Sequence, residues 1–304
     1  MKQIHHLLMA VTMLGCMGPD QETLVDELRV MAIQAEPAEV QIRDFVPDEN
    51  GETLSPVINV VIGDPLEKGY QLAVWPCTNF GEGCEEKKLF EENPSDWIAL
   101  LESTETVVTV PVVNNPLWGP ILSRSSNPEV PLPITSIFAL ACEPSVCPEL
   151  QNALSGEWNV ERFANPFEWI AELPLSGTSL AFKQLPVSNG MSDDTRLKNP
   201  TLEPVLDVEI PLVTTVDTPL ILPFTIELFQ QDEDVASLFG YTTRGGFGRN
   251  VFATNGLRMF VGEPVERAVT WYAGDAEAGE STLFVIVEDG AGGTGIWTGV
   301  GVIE

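Results

Sequence analysis

The sequence predicts a mainly β protein built from two tandem antiparallel β-sandwiches, the first of which carries short helical inserts. Segments rich in Val, Ile, Thr and Phe recur along the chain, bounded by Gly, Pro or Asn, and in its second part their spacing is roughly 10–15 residues. Proline makes up 24 of the 304 residues, which favours loops and strand ends over helices. Hydrophobic residues form 44% of the chain, which is enough for a sizeable core and too many for a disordered protein.

The N-terminus has the pattern of an export signal. The apolar run 7–14 follows a short, weakly basic start and is too short to cross a bilayer, but it suits the central region of a secretory signal. Gly15-Cys16 directly after this run resembles the bacterial lipobox. The resemblance implies a signal peptide over 1–15 and a lipidated tether over 16–27, with Cys16 as the lipidated residue anchored in a bilayer. The predicted location is the bacterial cell envelope, at the outer membrane.

Charge and histidine content exclude several functions. The chain carries 45 Asp and Glu against 15 Lys and Arg, a formal net charge of −30. Nucleic-acid binding needs clustered cations, so we expect no nucleic-acid partner. The only two histidines, His5 and His6, fall within the predicted signal. A mature chain without histidine lacks Ser-His-Asp and Cys-His catalysis and imidazole-ligated zinc. The sequence therefore predicts a protein that is not an enzyme.

The four remaining cysteines predict two disulfides within an oxidising compartment. Their spacing favours two local pairs, Cys77–Cys84 and Cys142–Cys147, each spanning a turn. A zinc site made of all four cysteines is the alternative, although structural zinc sites favour gaps of two to four residues and the first gap is six. An exported chain with an even number of cysteines is typical of disulfides.

Two modules follow from the strand pattern. The first module spans 28–189, a polar and turn-rich linker covers 190–200, and the second module spans 201–304. The predicted strands lie at 28–34, 57–62, 70–75, 106–113, 134–142 and 179–187 in the first module, and at 205–213, 220–229, 236–242, 268–272, 282–287 and 295–303 in the second.

The first module also contains three helix-like inserts. The segments 93–101 and 165–173 share an Asn at the N-cap, a Pro at the first helical position and an acid at the third. A third insert covers 148–154. Their apolar residues either plug the edges of the sandwich or present a groove for a carbohydrate or a peptide. The candidate ligand-binding residues are Trp97, Trp158, Phe163 and Trp169.

Several segments resemble Ig-like modules in surface lipoproteins of myxobacteria and related bacteria. They are the opening strand 28–40, Trp75-Pro76-Cys77, Val269-Thr270-Trp271-Tyr272 and the closing hairpin 283–297. The resemblance implies two Ig-like sandwiches at the cell surface and no particular activity. In Ig strand order, Cys77 and Cys142 end neighbouring antiparallel strands at opposite poles, which supports the two local disulfides.

Two carboxylate sites remain as alternatives. The loop residues Asp232, Glu233 and Asp234 are hard oxygen ligands that suit calcium at the pole of an exported sandwich. A pair of carboxylates in a cleft would suit a hydrolase, the third choice of function. The sequence favours instead a lipid-anchored, non-catalytic interaction or structural module that has an envelope protein or a glycan as its partner.

Overall fold

The structure is a computed structural model that describes residues 24–48, 51–78, 83–102, 106–114, 118, 120, 122, 132–174, 176–189, 196–205, 211–215, 218–229, 236–247, 263–289 and 292–304. The strands of the first domain are β1 (Arg29–Glu36), β2 (Val40–Gln41), β3 (Val46–Asp48), β4 (Gly51–Leu54), β5 (Val57–Gly63), β6 (Gln71–Cys77), β7 (Ala99–Glu102), β8 (Val107–Thr109), β9 (Val112–Val113), β10 (Leu132–Cys142) and β11 (Thr178–Ser188). Those of the second domain are β12 (Thr201–Pro204), β13 (Leu212–Thr214), β14 (Leu220–Glu227), β15 (Ser237–Thr242), β16 (Gly246–Phe247), β17 (Val265–Tyr272), β18 (Gly279–Glu288) and β19 (Thr294–Ile303).

The first domain is an Ig-like sandwich. A three-stranded sheet of order β1-β5-β8 faces a five-stranded sheet of order β2-β11-β10-β6-β7, and β3-β4-β9 form a small sheet beside them. Strand β2 pairs with β11 in parallel, whereas the neighbouring pairs in these two sheets are antiparallel. Ile58 and Val60 from β5 and Leu72 and Val74 from β6 are fully buried between the sheets, as period-two alternation requires.

The second domain is a second Ig-like sandwich. A sheet of order β12-β14-β17-β16 faces a sheet of order β13-β19-β18-β15, and β13 pairs with β19 in parallel. Phe224 and Trp271 of the first sheet pack with Leu283 and Val285 of the second in a buried core. The predicted fold class is confirmed, since both modules are β-sandwiches and the helices belong to the first.

The helices of the first domain are short. Those with both ends among the described residues are α1 (Lys87–Glu92), α2 (Pro94–Trp97), α3 (Pro148–Leu154), α4 (Val160–Ala164) and α5 (Pro166–Ile170), with a 3₁₀ turn at Ile42–Asp44. The predicted helix over 93–101 ends at Trp97, because the next residues pair with β6 as strand β7, with Ala99 opposite Val74. In the part of the chain that the structure describes, no helix is long and apolar enough to cross a membrane.

The two domains pack face to face. The outer face of β1 and β5 in the first domain meets the outer face of β15, β18 and β19 in the second. The buried residues at this contact are Val25, Ala32, Val61, Tyr241, Phe284 and Ile286. The molecule is therefore a stack of five layers: the helices, the two sheets of the first domain and the two sheets of the second.

The chain is already folded at Leu24, within the segment that the sequence assigns to the tether. Leu24 pairs with Thr242 of the second domain, and the backbone N–H of Val25 donates to the carbonyl of Thr242 at 2.8 Å. The Val25 side chain is fully buried between the domains. The ordered body thus includes residues 24–27, since an apolar side chain at Val25 gains more from burial than from solvent exposure.

Candidate functional site

The outer face of the five-stranded sheet carries most of the residues that the sequence singles out. Residues 84–98 and 147–173, which we call the helical cap, cover this face. All seven residues of β6 are buried, because one side of the strand meets the three-stranded sheet and the other meets the cap. Trp75 lies at the centre, with ring centroids 5.3 Å from Phe163 and 5.6 Å from Phe138.

The structure brings the predicted ligand-binding aromatics together, but it buries them. Trp97 and Trp169 are 2% exposed, Phe163 is fully buried, and Trp158 is partly buried against the same cluster. Trp169 packs edge-on to Phe163 at 5.1 Å between ring centroids. A sugar ring needs an exposed aromatic face on which to stack, so the predicted binding groove of these four residues does not form. Their role is to hold the helical cap on the sheet.

Two disulfides fasten the helical cap to the ends of the sheet. Cys77 at the end of β6 is bonded to Cys84 just before α1, and Cys142 at the end of β10 is bonded to Cys147 just before α3. Their Cα atoms are 4.9 Å and 5.9 Å apart. Both predicted pairs are present, and a zinc site of four cysteine thiolates is excluded because every one of these sulfurs is in a disulfide.

We expect the Cys142→Ser, Cys147→Ser double variant to lower the free energy of unfolding of the first domain by about 2 kcal/mol, the value for so short a closed loop. Urea unfolding followed by circular dichroism measures the loss. The control is the unmodified chain in dithiothreitol, which should fall further because both disulfides then open. A double variant with unchanged stability would contradict a structural role for this bond.

Glu86 is a buried carboxylate beside the first disulfide. The backbone N–H of Thr78 donates to both of its oxygens, at 2.9 and 3.1 Å. Burial raises the pKa of Glu86, although the hydrogen bonds from Thr78 oppose the rise. A Glu86 oxygen and the sulfurs of Cys77 and Cys84 lie within 4.8 Å of one another, but the sulfurs are bonded to each other and leave no thiolate for a metal. This carboxylate closes a turn.

A second cluster of polar side chains joins the domains, with Thr294 as its hub. The Thr294 hydroxyl accepts from Lys183 Nζ at 2.6 Å, its carbonyl accepts from Gln34 Nε2 at 2.7 Å, and its N–H donates to Asn199 Oδ1 at 3.0 Å. Asn199 Nδ2 also donates to the carbonyl of Ala35 at 2.7 Å. Thr294 lies on β19 of the second domain, whereas its partners come from β1 and β11 of the first domain and from the linker. The hub therefore fixes the angle between the domains.

The linker is part of this junction where the structure describes it, over 196–200. Arg196 forms an ion pair with Asp44 at 2.7 Å, and the N–H of Leu197 donates to the buried carboxylate of Glu39 at 2.7 Å. A Cβ at Gly293 in the closing hairpin would stand 2.8 Å from Pro200, so this approach requires glycine. The second half of the predicted linker is therefore a packed connection.

Ionisable groups line the domain junction. Burial lowers the pKa of the Lys183 ammonium, and the carboxylates of Glu288 and Asp289 oppose this. Burial, with the carboxylate of Glu288, raises the pKa of the Tyr241 hydroxyl. These groups stabilise a fixed arrangement of two domains, since each is held between them. No sequence motif marks this junction. The unbroken apolar run 283–287 is the signal that could have revealed it, because such a run is typical of a strand buried on both faces.

Two predicted sites lie outside the described residues. These are the lipidation site Cys16 and the calcium ligands Asp232, Glu233 and Asp234. A carboxylate pair for hydrolysis stays a prediction as well. Two exposed aromatics, Phe167 on α5 and Phe182 on β11, are not among the predicted site residues.

Comparison with solved structures gives only distant similarities in fold. No family model matches the chain, and no curated protein matches its sequence. It is similar to red sea bream transglutaminase (10% identity, 92% of this chain and 32% of that chain, TM-score 0.28). It is also similar to an alpha-2-macroglobulin variant from Salmonella (11% identity, 91% of this chain and 16% of that chain, TM-score 0.25). A third likeness is to Escherichia coli alpha-2-macroglobulin activated by porcine elastase (8% identity, 92% of this chain and 22% of that chain, TM-score 0.24). This chain spans a third or less of those chains, and the likenesses carry no argument about function.

Proposed function

We propose that this chain is an exported, lipid-anchored protein of the bacterial cell envelope that acts as a non-catalytic structural or interaction module. The two disulfides carry the proposal, because disulfides persist in oxidising compartments such as the periplasm and the cell surface and are rare in the cytosol. The lipobox-like Gly15-Cys16 supplies the anchor, and two Ig-like sandwiches supply the body.

The buried charged groups support a structural role. Glu86 closes the turn at Thr78, Glu39 holds the linker at Leu197, and Lys183 joins the first domain to Thr294. A carboxylate or an ammonium that serves as an acid or base must reach a substrate, whereas these three are used within the fold. We therefore infer a rigid two-domain body that presents surfaces to a partner.

The fixed domain junction suits such a body. Hydrogen bonds and an apolar cluster join the domains, and an ion pair holds the linker to the first domain, so the second domain keeps its orientation relative to the first. Leu24 and Val25 lie at the contact between the domains. An anchor at Cys16 is then only eight residues from a folded surface, which holds the body within roughly 30 Å of the bilayer.

The test of the anchor is the Cys16→Ala variant, produced with its signal in a bacterium that processes lipoproteins. We expect the unmodified chain to partition into the detergent phase of Triton X-114 and to incorporate labelled fatty acid. The Cys16→Ala chain should do neither, and the control Met17→Ala should behave as the unmodified chain. If the Cys16→Ala protein remained in the detergent phase, the anchoring proposal would be overturned.

A further inference from the structure

Two phenylalanines stand exposed at the margin of the helical cap. Phe167 is 52% exposed and Phe182 is 43% exposed, and both rest on the buried ring of Phe138. We call these three residues the phenylalanine patch. Its ring centroids lie 5.4 to 5.9 Å apart, so the three rings are in mutual contact. Large exposed aromatics that cluster in this way are typical of protein contact sites.

The patch is held rigidly. Phe182 lies on β11, which is paired with β10 from Thr178 to Val187, and Phe138 stacks on Trp75 in the core. Phe167 lies on α5, directly after α4, and the carbonyl of Ala164 at the end of α4 accepts from the N–H of the disulfide-bonded Cys84 at 2.8 Å. A rigid pair of rings loses little conformational entropy when a partner binds, which is what makes aromatic residues effective anchors.

The ring geometry favours a protein partner over a glycan. The rings of Phe167 and Phe182 are inclined at 82° to each other. Two inclined rings do not offer the flat surface on which successive sugar rings stack. They form instead a notch with one ring face and one ring edge, which suits the packing of a single aliphatic or aromatic side chain.

The charge around the patch selects a basic partner. Residues 148–173, which contain Phe167, hold five Glu and one Arg. Two of these glutamates are in ion pairs, Glu172 with Arg162 and Glu161 with Lys87, while Glu168 next to Phe167 is exposed. An exposed carboxylate beside an apolar centre attracts a segment of opposite charge and speeds its association.

We propose that Phe167 and Phe182 form the docking point for a partner protein segment that combines a large apolar side chain with basic residues. This inference rests on the proposed function as an interaction module, for which it names the contact and the chemistry of the partner. The apolar side chain enters the notch between the rings, and the basic residues lie over the acidic surface beside it, where Glu168 is exposed.

The test uses two labelled peptides of equal length and charge, one of alternating Lys and Leu and one of alternating Lys and Ser. Fluorescence anisotropy measures their binding to the mature chain carrying Cys16→Ala. We expect the Phe167→Ser, Phe182→Ser double variant to weaken binding of the Lys-Leu peptide about tenfold. The matched control is Ile221→Ser, which removes a 60% exposed side chain from the second domain and should leave the affinity unchanged.

The outcomes are separable. Equal affinity of the double variant and the control for the Lys-Leu peptide, with unchanged circular dichroism, would overturn the docking point. An equal loss of affinity for the Lys-Ser peptide would also overturn it, because that peptide reports charge alone. The same holds if the double variant loses binding of a neutral oligosaccharide, or self-association, and keeps its affinity for the Lys-Leu peptide. Detergent partitioning of the Cys16 variants does not involve the patch, so failure of the docking point leaves the anchored module standing.

Discussion

Replacing Trp75 by alanine is expected to lower the free energy of unfolding of the first domain by roughly 3–5 kcal/mol. Trp75 is fully buried, contacts Phe138, Phe163 and Trp169, and donates its indole N–H to the carbonyl of Phe163 at 3.0 Å. Its loss leaves a cavity beneath the helical cap and a buried carbonyl without its hydrogen bond. Urea unfolding followed by far-ultraviolet circular dichroism measures the effect.

Two matched variants separate the causes. Trp75→Phe keeps most of the packing and loses the hydrogen bond to Phe163, so we expect a loss of about 1–2 kcal/mol. Tyr272→Ala removes a half-exposed aromatic from the second domain and should change stability by less than about 0.5 kcal/mol. A Trp75→Ala chain as stable as the Tyr272→Ala chain would show that the helical cap does not depend on this ring.

The Val25→Asp variant is expected to part the two domains. A carboxylate at this position would be buried against Phe284 and Ile286 without a partner, at a cost of at least ~3 kcal/mol. The chain escapes this cost by opening the contact, which exposes the new charge to water. Small-angle X-ray scattering should then show a larger radius of gyration, and calorimetry should resolve two melting transitions where the unmodified chain gives one.

Leu24→Asp is the neighbouring control. Leu24 is 41% exposed and joins the second domain through its backbone, so a charge there should leave both the radius of gyration and the single transition unchanged. Identical scattering of the Val25→Asp and unmodified chains would mean that the polar hub at Thr294 holds the domains without the apolar cluster.

Local chemistry explains what the sequence predicted well. Strands such as β5 and β10 combine β-branched residues with turn residues at their ends, and both lie within two residues of the predicted bounds. The disulfides followed from spacing, since Cys142 and Cys147 can meet across a single turn. Neither feature depends on how distant parts of the chain pack.

The misjudged features depend on that packing. The local sequence around Trp97 or Trp169 does not determine whether the tryptophan faces solvent or packs against a sheet. In the structure both side chains pack against the five-stranded sheet. Val25 follows a polar stretch, so the sequence predicts that it belongs to a tether. Its burial in the cluster that contains Phe284 becomes visible only in the structure. Phe182 lies next to Lys183 and Gln184 and gives no pattern of its own.

The face-to-face contact has a consequence for the integrity of the chain. A second domain released by a protease would carry an uncovered apolar face, with Phe239, Phe284, Ile286 and Ile296 open to water. Such a fragment would associate with its own copies, since a broad apolar sheet face promotes aggregation. Although the two sandwiches are distinct as folds, we expect them to be stable, degraded and engineered only as one unit.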